Sequence, residues 1–254
     1  MVTSLDERTQ REIMHSQKLR ASGNPEQIWN WDTPAGRNRA QRRARLIAKV
    51  AGLAPGMHVM EVGCGTGLFT EMFSVYGAHI LAIDISADLL TVARSRNLPQ
   101  TIVEFREMRF EDGAIEGPFD AIIGSSVLHH LDIELALKHM FDLLKPGGVI
   151  AFAEPNMLNP QVWAERHIPF IRERNGVSPD ETAIVRWLLV RSLFNAGFVS
   201  IHIRNNDWLH PATPPVLIPI VNKIGLVLEA IPVIKEFTGS VLIQAYRPSN
   251  NTKL

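Results

Sequence analysis

The chain has 254 residues, enough to bury a large core in one domain with insertions. Its 26 acidic and 26 basic residues give a formal net charge of zero, so no global basic field draws in nucleic acid or an anionic membrane. The one cysteine, Cys64, excludes an intramolecular disulfide and a multi-cysteine zinc site. The polar, mixed-charge stretch from Met1 to Arg20 holds no apolar signal segment, which predicts a soluble cytoplasmic protein.

In chain order, residues 1–34 are polar with weak periodicity and carry Trp29 and Trp31 beside Asp32-Thr33-Pro34. From Arg39 to Ala51 the pattern is helical, with Ala40, Ala44, Ile47 and Ala51 on one face and arginines on the rest; with balanced charge, that reads as a solvated face. Strand 1 follows Gly56. Strand 2 is His79 to Asp84, and Ser86 caps the helix after it. Strand 3 is placed at Ile102 to Arg106 and strand 4 at Phe119 to Gly124. A helix striped with Ile133, Leu137, Met140, Phe141 and Leu144 is stopped by Pro146-Gly147, and strand 5 is Val149 to Glu154. Alternating strands and helices imply a parallel sheet covered on both faces.

Residues 155–178, with three prolines, read as an irregular insertion, and Ser178-Pro179-Asp180-Glu181 as a capping box opening a helix to about Asn195. Strand 6 is placed at Phe198 to Arg204 and an antiparallel strand 7 at Ser240 to Tyr246. Between them, Pro211 to Ile234 is strongly apolar, yet its prolines, Asn222, Lys223 and Glu229 argue against a membrane span. It either covers the core, caps an apolar substrate pocket, or rests on a membrane or partner surface. Pro248 to Leu254 reads as a frayed tail.

The stretch that organises the rest is His58-Val59-Met60-Glu61-Val62-Gly63-Cys64-Gly65-Thr66-Gly67, followed by an apolar-striped helix. Strand, glycine turn and helix make a nucleotide-binding geometry. The dinucleotide pattern G-x-G-x-x-G needs glycine where this chain has Leu68, and Glu61 would repel a pyrophosphate. A carboxylate there suits a ligand with an amino group and a sulfonium, which favours S-adenosylmethionine over NAD.

Five pieces occur in order: the E-V-G-C-G-T-G turn, Ile80-Leu81-Ala82-Ile83-Asp84, Pro118-Phe119-Asp120-Ala121-Ile122-Ile123, Leu128-His129-His130-Leu131 and Leu143-Leu144-Lys145-Pro146-Gly147-Gly148. On these, residues 57–154 resemble a class I S-adenosylmethionine-dependent methyltransferase, of the group that includes the ubiquinone and menaquinone-biosynthesis enzymes. The resemblance implies a Rossmann-like α/β fold with a seven-stranded, mostly parallel sheet and an antiparallel last strand. It also implies an N-terminal helical lid over residues 1–55, then a cofactor-binding domain over 56–254 with insertions at about 155–178 and 205–238. The lid makes Trp29, Trp31 and Arg37 candidates for the roof of the pocket, or the tryptophans only anchor the segment to the core.

The cofactor set implied is Glu61, Gly63, Cys64, Gly65, Gly67, Asp84, Ile85, Arg109, Phe110, Ser125 and Arg37. Within it, Asp84 accepts the ribose hydroxyls. The slot that often holds an adenine-reading aspartate is Met108, so backbone amides of Arg109 or Phe110 would read the adenine edge, with Phe110 or Ile85 on its face. An oxygen or nitrogen nucleophile needs a base, and His129 or His130 is the first candidate, with Glu154 in a substrate or supporting role. Asn156 and His167 are candidate substrate contacts. Metal-ligand spacing is absent, which predicts metal-independent chemistry. The function expected is O- or C-methylation of a small, partly apolar molecule. The alternatives are a lipid- or glycolipid-directed methyltransferase at a membrane surface, with contact through 211–234 the less favoured option, and an S-adenosylmethionine-binding protein catalysing another reaction. With no basic stripe or base-flipping tetrapeptide, a nucleic-acid partner is not expected.

Overall fold

The computed structural model describes residues 4–113, 115–174 and 182–250. Three helices precede the sheet: α1 (Ser4–Ser22), α2 (Pro25–Ile28) and α3 (Pro34–Ala51). The polar start of the chain is therefore largely helical. Helix α3 begins five residues before the arginine-rich stretch, because the Thr33 hydroxyl accepts the Gly36 amide at 2.9 Å and Pro34 takes the first helical position.

Next come β1 (His58–Val62), α4 (Leu68–Ser74), β2 (His79–Asp84), α5 (Ala87–Ser95), β3 (Val103–Glu107), β4 (Phe119–Ser125), α6 (Ile133–Leu143) and β5 (Leu144–Pro155). Ser86 caps α5 as its position predicts, accepting the Leu89 amide at 3.3 Å. The region read as an irregular insertion instead holds α7 (Pro160–His167) and α8 (Pro169–Arg174). Two of the prolines read as breakers are helix starts, and Asn159 caps the first by accepting the Gln161 and Val162 amides. Helix α9 (Arg186–Asn195) starts later than expected; the Ser178–Glu181 capping box lies outside the described residues. The chain ends with β6 (Val199–Asn206), α10 (Ile218–Leu228) and β7 (Ser240–Tyr246).

The strand order is β3-β2-β1-β4-β5-β7-β6, with β7 antiparallel to both neighbours and the rest parallel. Alternate residues of β1 feed two cores. Met60 and Val62 pack with Ile122, Leu137 and Phe152 on the α6 and α9 face, whereas Val59 packs with Ile47, Phe73 and Leu90 on the α3 and α4 face. Strand order reverses between β1 and β4, which leaves a crevice at their carboxyl ends.

The apolar stretch 211–234 does not cover the core. Of α10 only Gly225 is buried, packed on Trp208, where an added Cβ would sit 3.3 Å from the Trp208 Cβ. Ile220, Ile224, Leu226 and Val227 stay exposed.

Candidate functional site

The glycine turn is pinned to β2. The Cys64 amide donates to the Ile83 carbonyl at 3.0 Å, and the Gly65 amide to Asp84 Oδ2 at 2.8 Å. The Ser86 amide donates to the other Asp84 oxygen at 2.9 Å. Burial pushes the Asp84 carboxyl up from its ordinary value, opposed by these amides. At Gly63 a side chain is impossible without movement: φ is +66° and a Cβ would meet Val127 Cγ2 at 2.3 Å. At Gly65 an added Cβ would meet nothing within 4 Å, so the turn faces open space.

Glu61 lies behind the turn, 1% exposed, and its Oε2 has no hydrogen-bond partner. Burial pushes its carboxyl up to about 8, against the Thr70 side chain, which favours the ionised form. Helix α2 is tied to the turn from above. Glu26 accepts from the Thr66 hydroxyl at 2.8 Å and pairs with Arg96, which also pairs with Glu71 and donates to the Thr66 carbonyl.

Arg43 is the buried cation of the site. It falls on the inward stripe of α3 with Ala40, Ala44 and Ile47, and donates to the Ser126 hydroxyl at 2.7 Å and to the Ser125 and Ser240 hydroxyls. These hydrogen bonds all go to neutral groups. Burial pulls its guanidinium down to about 10, helped by the charge of Arg39 and opposed by Asp207 and Glu154. Trp31 stands over Arg39 and Arg43, each guanidinium 5.5 Å from the ring, and meets Phe69 edge-on.

Parallel neighbours β4 and β5 bring the histidine pair and Glu154 together. His129 Nδ1 lies 2.7 Å from Glu154 Oε2, and the other carboxylate oxygen accepts the Val127 and Leu128 amides at 2.9 and 3.0 Å. Burial alone would raise the Glu154 carboxyl. The His129 bond and charge, with the two amides, outweigh it and hold the group below its usual range. An ionised Glu154 fixes the proton on Nδ1 and leaves Nε2 as the basic atom. The His130 ring lies 4.2 Å from that of His129, and its Nδ1 is 3.1 Å from the Glu12 carboxylate. Helix α1 closes this side. Arg8 donates to the carbonyls of His129 (3.1 Å) and Leu131 (3.4 Å), and Ser16 to the Ser86 hydroxyl at 3.0 Å.

One cavity of about 830 Å³ joins these groups. Its wall includes Trp29, Trp31, Gly63, Cys64, Gly65, Asp84, Ile85, Arg109, Phe110, Ser125, His129 and His130 from the sequence reading, along with Met108. Glu61, Gly67 and Glu154 sit outside the wall, two of them supporting it from behind. Three candidates are not brought to it. Arg37 is exposed and donates to the Asp32 carbonyl; Asn156 is spent on the Glu236 and Thr238 carbonyls, both at 2.8 Å; His167 bonds the Trp163 carbonyl and stacks on that ring in solvent. Sequence reasoning missed Arg43, Arg39, Ser240 and the α1 residues Arg8, Glu12 and Ser16. The signal for Arg43 was present: an arginine three residues after Ala40 and four before Ile47 lies on the apolar stripe.

A methyltransferase-domain family model matches residues 60–150. The ubiquinone biosynthesis O-methyltransferase of Xanthomonas campestris is 37% identical over 133 residues, covering 50% of this chain and 56% of that protein. The enzyme of the same name from Xylella fastidiosa is 41% identical over 97 residues, 37% of this chain and 39% of its own. The chain thus spans about half the length of the curated relatives it matches. Among solved structures, Haemonchus contortus phosphoethanolamine N-methyltransferase 2, in complex with S-adenosyl-L-methionine, superposes with a TM-score of 0.60 at 16% identity. That match covers 88% of this chain and 56% of the other. The [4+2]-cyclase SpnF gives 0.55 at 19% identity, covering 83% and 82%. These two likenesses speak for the fold alone. The E-V-G-C-G-T-G turn and the acid closing β2 both lie within the 60–150 stretch that is similar to methyltransferase domains, and the fold is shared with the two solved structures.

Proposed function

We propose that the protein transfers the methyl group of S-adenosylmethionine to an oxygen of a small, partly apolar molecule. The observation that carries this reading is a single cavity that holds Arg43 and Asp84 together with a carboxylate-backed histidine. The residues fit the donor. Among the described residues Arg43 is a buried cation whose hydrogen bonds all go to serine hydroxyls, suited to the methionine carboxylate. Asp84 keeps lone pairs beyond those given to Gly65 and Ser86, for the ribose hydroxyls. The open face at Gly65 lets backbone approach the ligand closely. Glu61, buried behind the turn with an unpartnered oxygen, supports the turn from outside the cavity wall rather than meeting the donor.

When bound, the donor supplies a methyl already activated by its sulfonium. The chain then has to align the acceptor, exclude water and take up a proton. His129 takes the acceptor's hydroxyl proton on Nε2, and Glu154 stabilises the resulting imidazolium. Trp29 and Trp31 belong to a helical cap over residues 1–55 that shields the donor. The acceptor is read by the wall from Trp208 to Ala212 and by Val162, Phe170 and Ile171. Support for oxygen transfer comes from the base and from the O-methyltransferase relatives, which match only part of this chain.

The test is calorimetric titration with S-adenosylhomocysteine, then incubation with methyl-labelled donor and a metabolite extract. Binding followed by label in a small molecule is expected. No affinity for the donor or its product overturns the reading, and donor recovered unchanged after turnover assigns the site to another reaction.

A further inference from the structure

The residues that follow the acceptor wall lead straight into α10, and the surface they build has an unusual charge arrangement. Between Pro214 and Phe237 the exposed apolar side chains include Val216, Ile220, Ile224, Leu226, Val227 and Val233. Val233 is 71% exposed and is pushed out by a γ-turn: its φ is +70°, and the Ile234 amide donates to the Pro232 carbonyl at 2.9 Å. A β-branched residue in the left-handed region is a costly way to place an apolar tip in solvent.

Both carboxylates of this stretch are turned inward. Glu229 accepts from Arg42 at 2.7 Å and from the Asp207 amide, and Glu236 pairs with Arg186 at 3.1 Å. Its two cations, Lys223 and Lys235, form no ion pair among the described residues. Side-chain bonds from Asn222 to Asn38 and from Arg42 to Glu229 set α10 beside α3, a helix with no acidic residue. On α3, Arg37 and Arg45 are exposed next to these contacts and, among the described residues, bond only to backbone carbonyls. The result is an apolar helix rimmed by cations, its acids sequestered. Among the described residues no helix is long and apolar enough to cross a membrane, so α10 suits lying on a surface rather than spanning it.

We propose that α10 and the Val233 turn dock the protein on an anionic lipid surface, with Arg37, Arg45, Lys223 and Lys235 facing the headgroups. Apolar area supplies the insertion and the cations supply the selectivity, about fivefold in affinity for each one held near the surface. Because Gly225 of α10 packs on the cavity residue Trp208, docking sets the acceptor wall against the lipid. Nothing in this docking depends on donor chemistry, so its failure and that of the methyl-transfer reading are separately visible.

The test is co-sedimentation of the full chain with vesicles of phosphatidylcholine alone or mixed with phosphatidylglycerol. Binding to the mixed vesicles is expected, at least about tenfold above the neutral ones and weakened by salt. Ile220→Glu with Ile224→Glu should abolish it. Lys223→Glu with Arg45→Glu, which touches no apolar residue, should weaken it about tenfold or more. Both variants should keep wild-type circular dichroism and S-adenosylhomocysteine affinity. Wild-type protein that stays in the supernatant with both vesicles overturns the proposal, as does binding that neither pair of substitutions alters. A dimer in sedimentation velocity that Ile220→Glu with Ile224→Glu splits, without lipid present, assigns the face to a second copy instead.

Discussion

The carboxyl ends of β1, β2 and β4 and the segment from Asp207 to Phe237 are both apolar in sequence, and they end in opposite surroundings. At the strand ends, buried polar groups are bound one by one: Asp84 by two amides, Glu154 by two amides and a histidine, Arg43 by serine hydroxyls. In the later segment the apolar residues face out and the polar ones anchor the element from beneath. Hydrophobicity of a stretch therefore does not fix its burial. What decides is where the element is fastened, and α10 is held beside α3, off the sheet, by the Asn38–Asn222 and Arg42–Glu229 bonds.

The contrast can be broken or sharpened by substitution. The largest effect is expected from His129→Gln, which should lower kcat by about 10²–10⁴-fold with donor affinity nearly unchanged, since a positioned base contributes on that order. Steady-state kinetics with calorimetry in parallel checks the split. Gly63→Ala places a methyl against Val127 in a left-handed backbone and should cost about 2–4 kcal/mol in chemical denaturation. Arg43→Gln should raise the dissociation constant for S-adenosylhomocysteine about 10–100-fold, the loss of a charge-assisted bond, while Arg37→Gln on the same helix stays within about twofold. Equal effects from the two arginines would sink the assignment of Arg43 to the carboxylate.

A fourth, smaller effect concerns pH. The Glu61 carboxyl is raised from its ordinary 4.5 to about 8, so the stability contributed by its neutral form is fully present below about 4.5. It is lost as pH rises through about 8. The ligand-free protein should therefore soften over that window, and Glu61→Gln should flatten the melting temperature against pH there. By comparison, Leu226→Ser, at an exposed position of α10, should change stability by less than about 0.5 kcal/mol.

Much of the strand-end region was legible because its signals are local. Apolar runs set β2 and β7 to the residue and placed β1 after Gly56, and the serine at 86 announced its helix. The dyad was half legible: His129 and Glu154 each stood out, but their meeting depends on β4 and β5 lying side by side in register, with Ser125 opposite Ala153. Arg43 was hidden by its charge. Of the four other arginines on α3, Arg39 reaches the same cavity and three do not line it, and only periodicity separates the one on the buried stripe from Arg37. The prolines at 160 and 169 misled for a related reason, since a residue that breaks a helix in its interior starts one at its first position. For 211–234, composition gave an apolar element and could not give its orientation, which is set by the Arg42–Glu229 and Asn38–Asn222 bonds across the chain.

Helix α1 grips the peptide oxygens of His129 and Leu131 through Arg8 while its own side chains wall the chamber. One side chain near the start of the chain thus ties the cavity wall to the backbone of a histidine 121 residues further on.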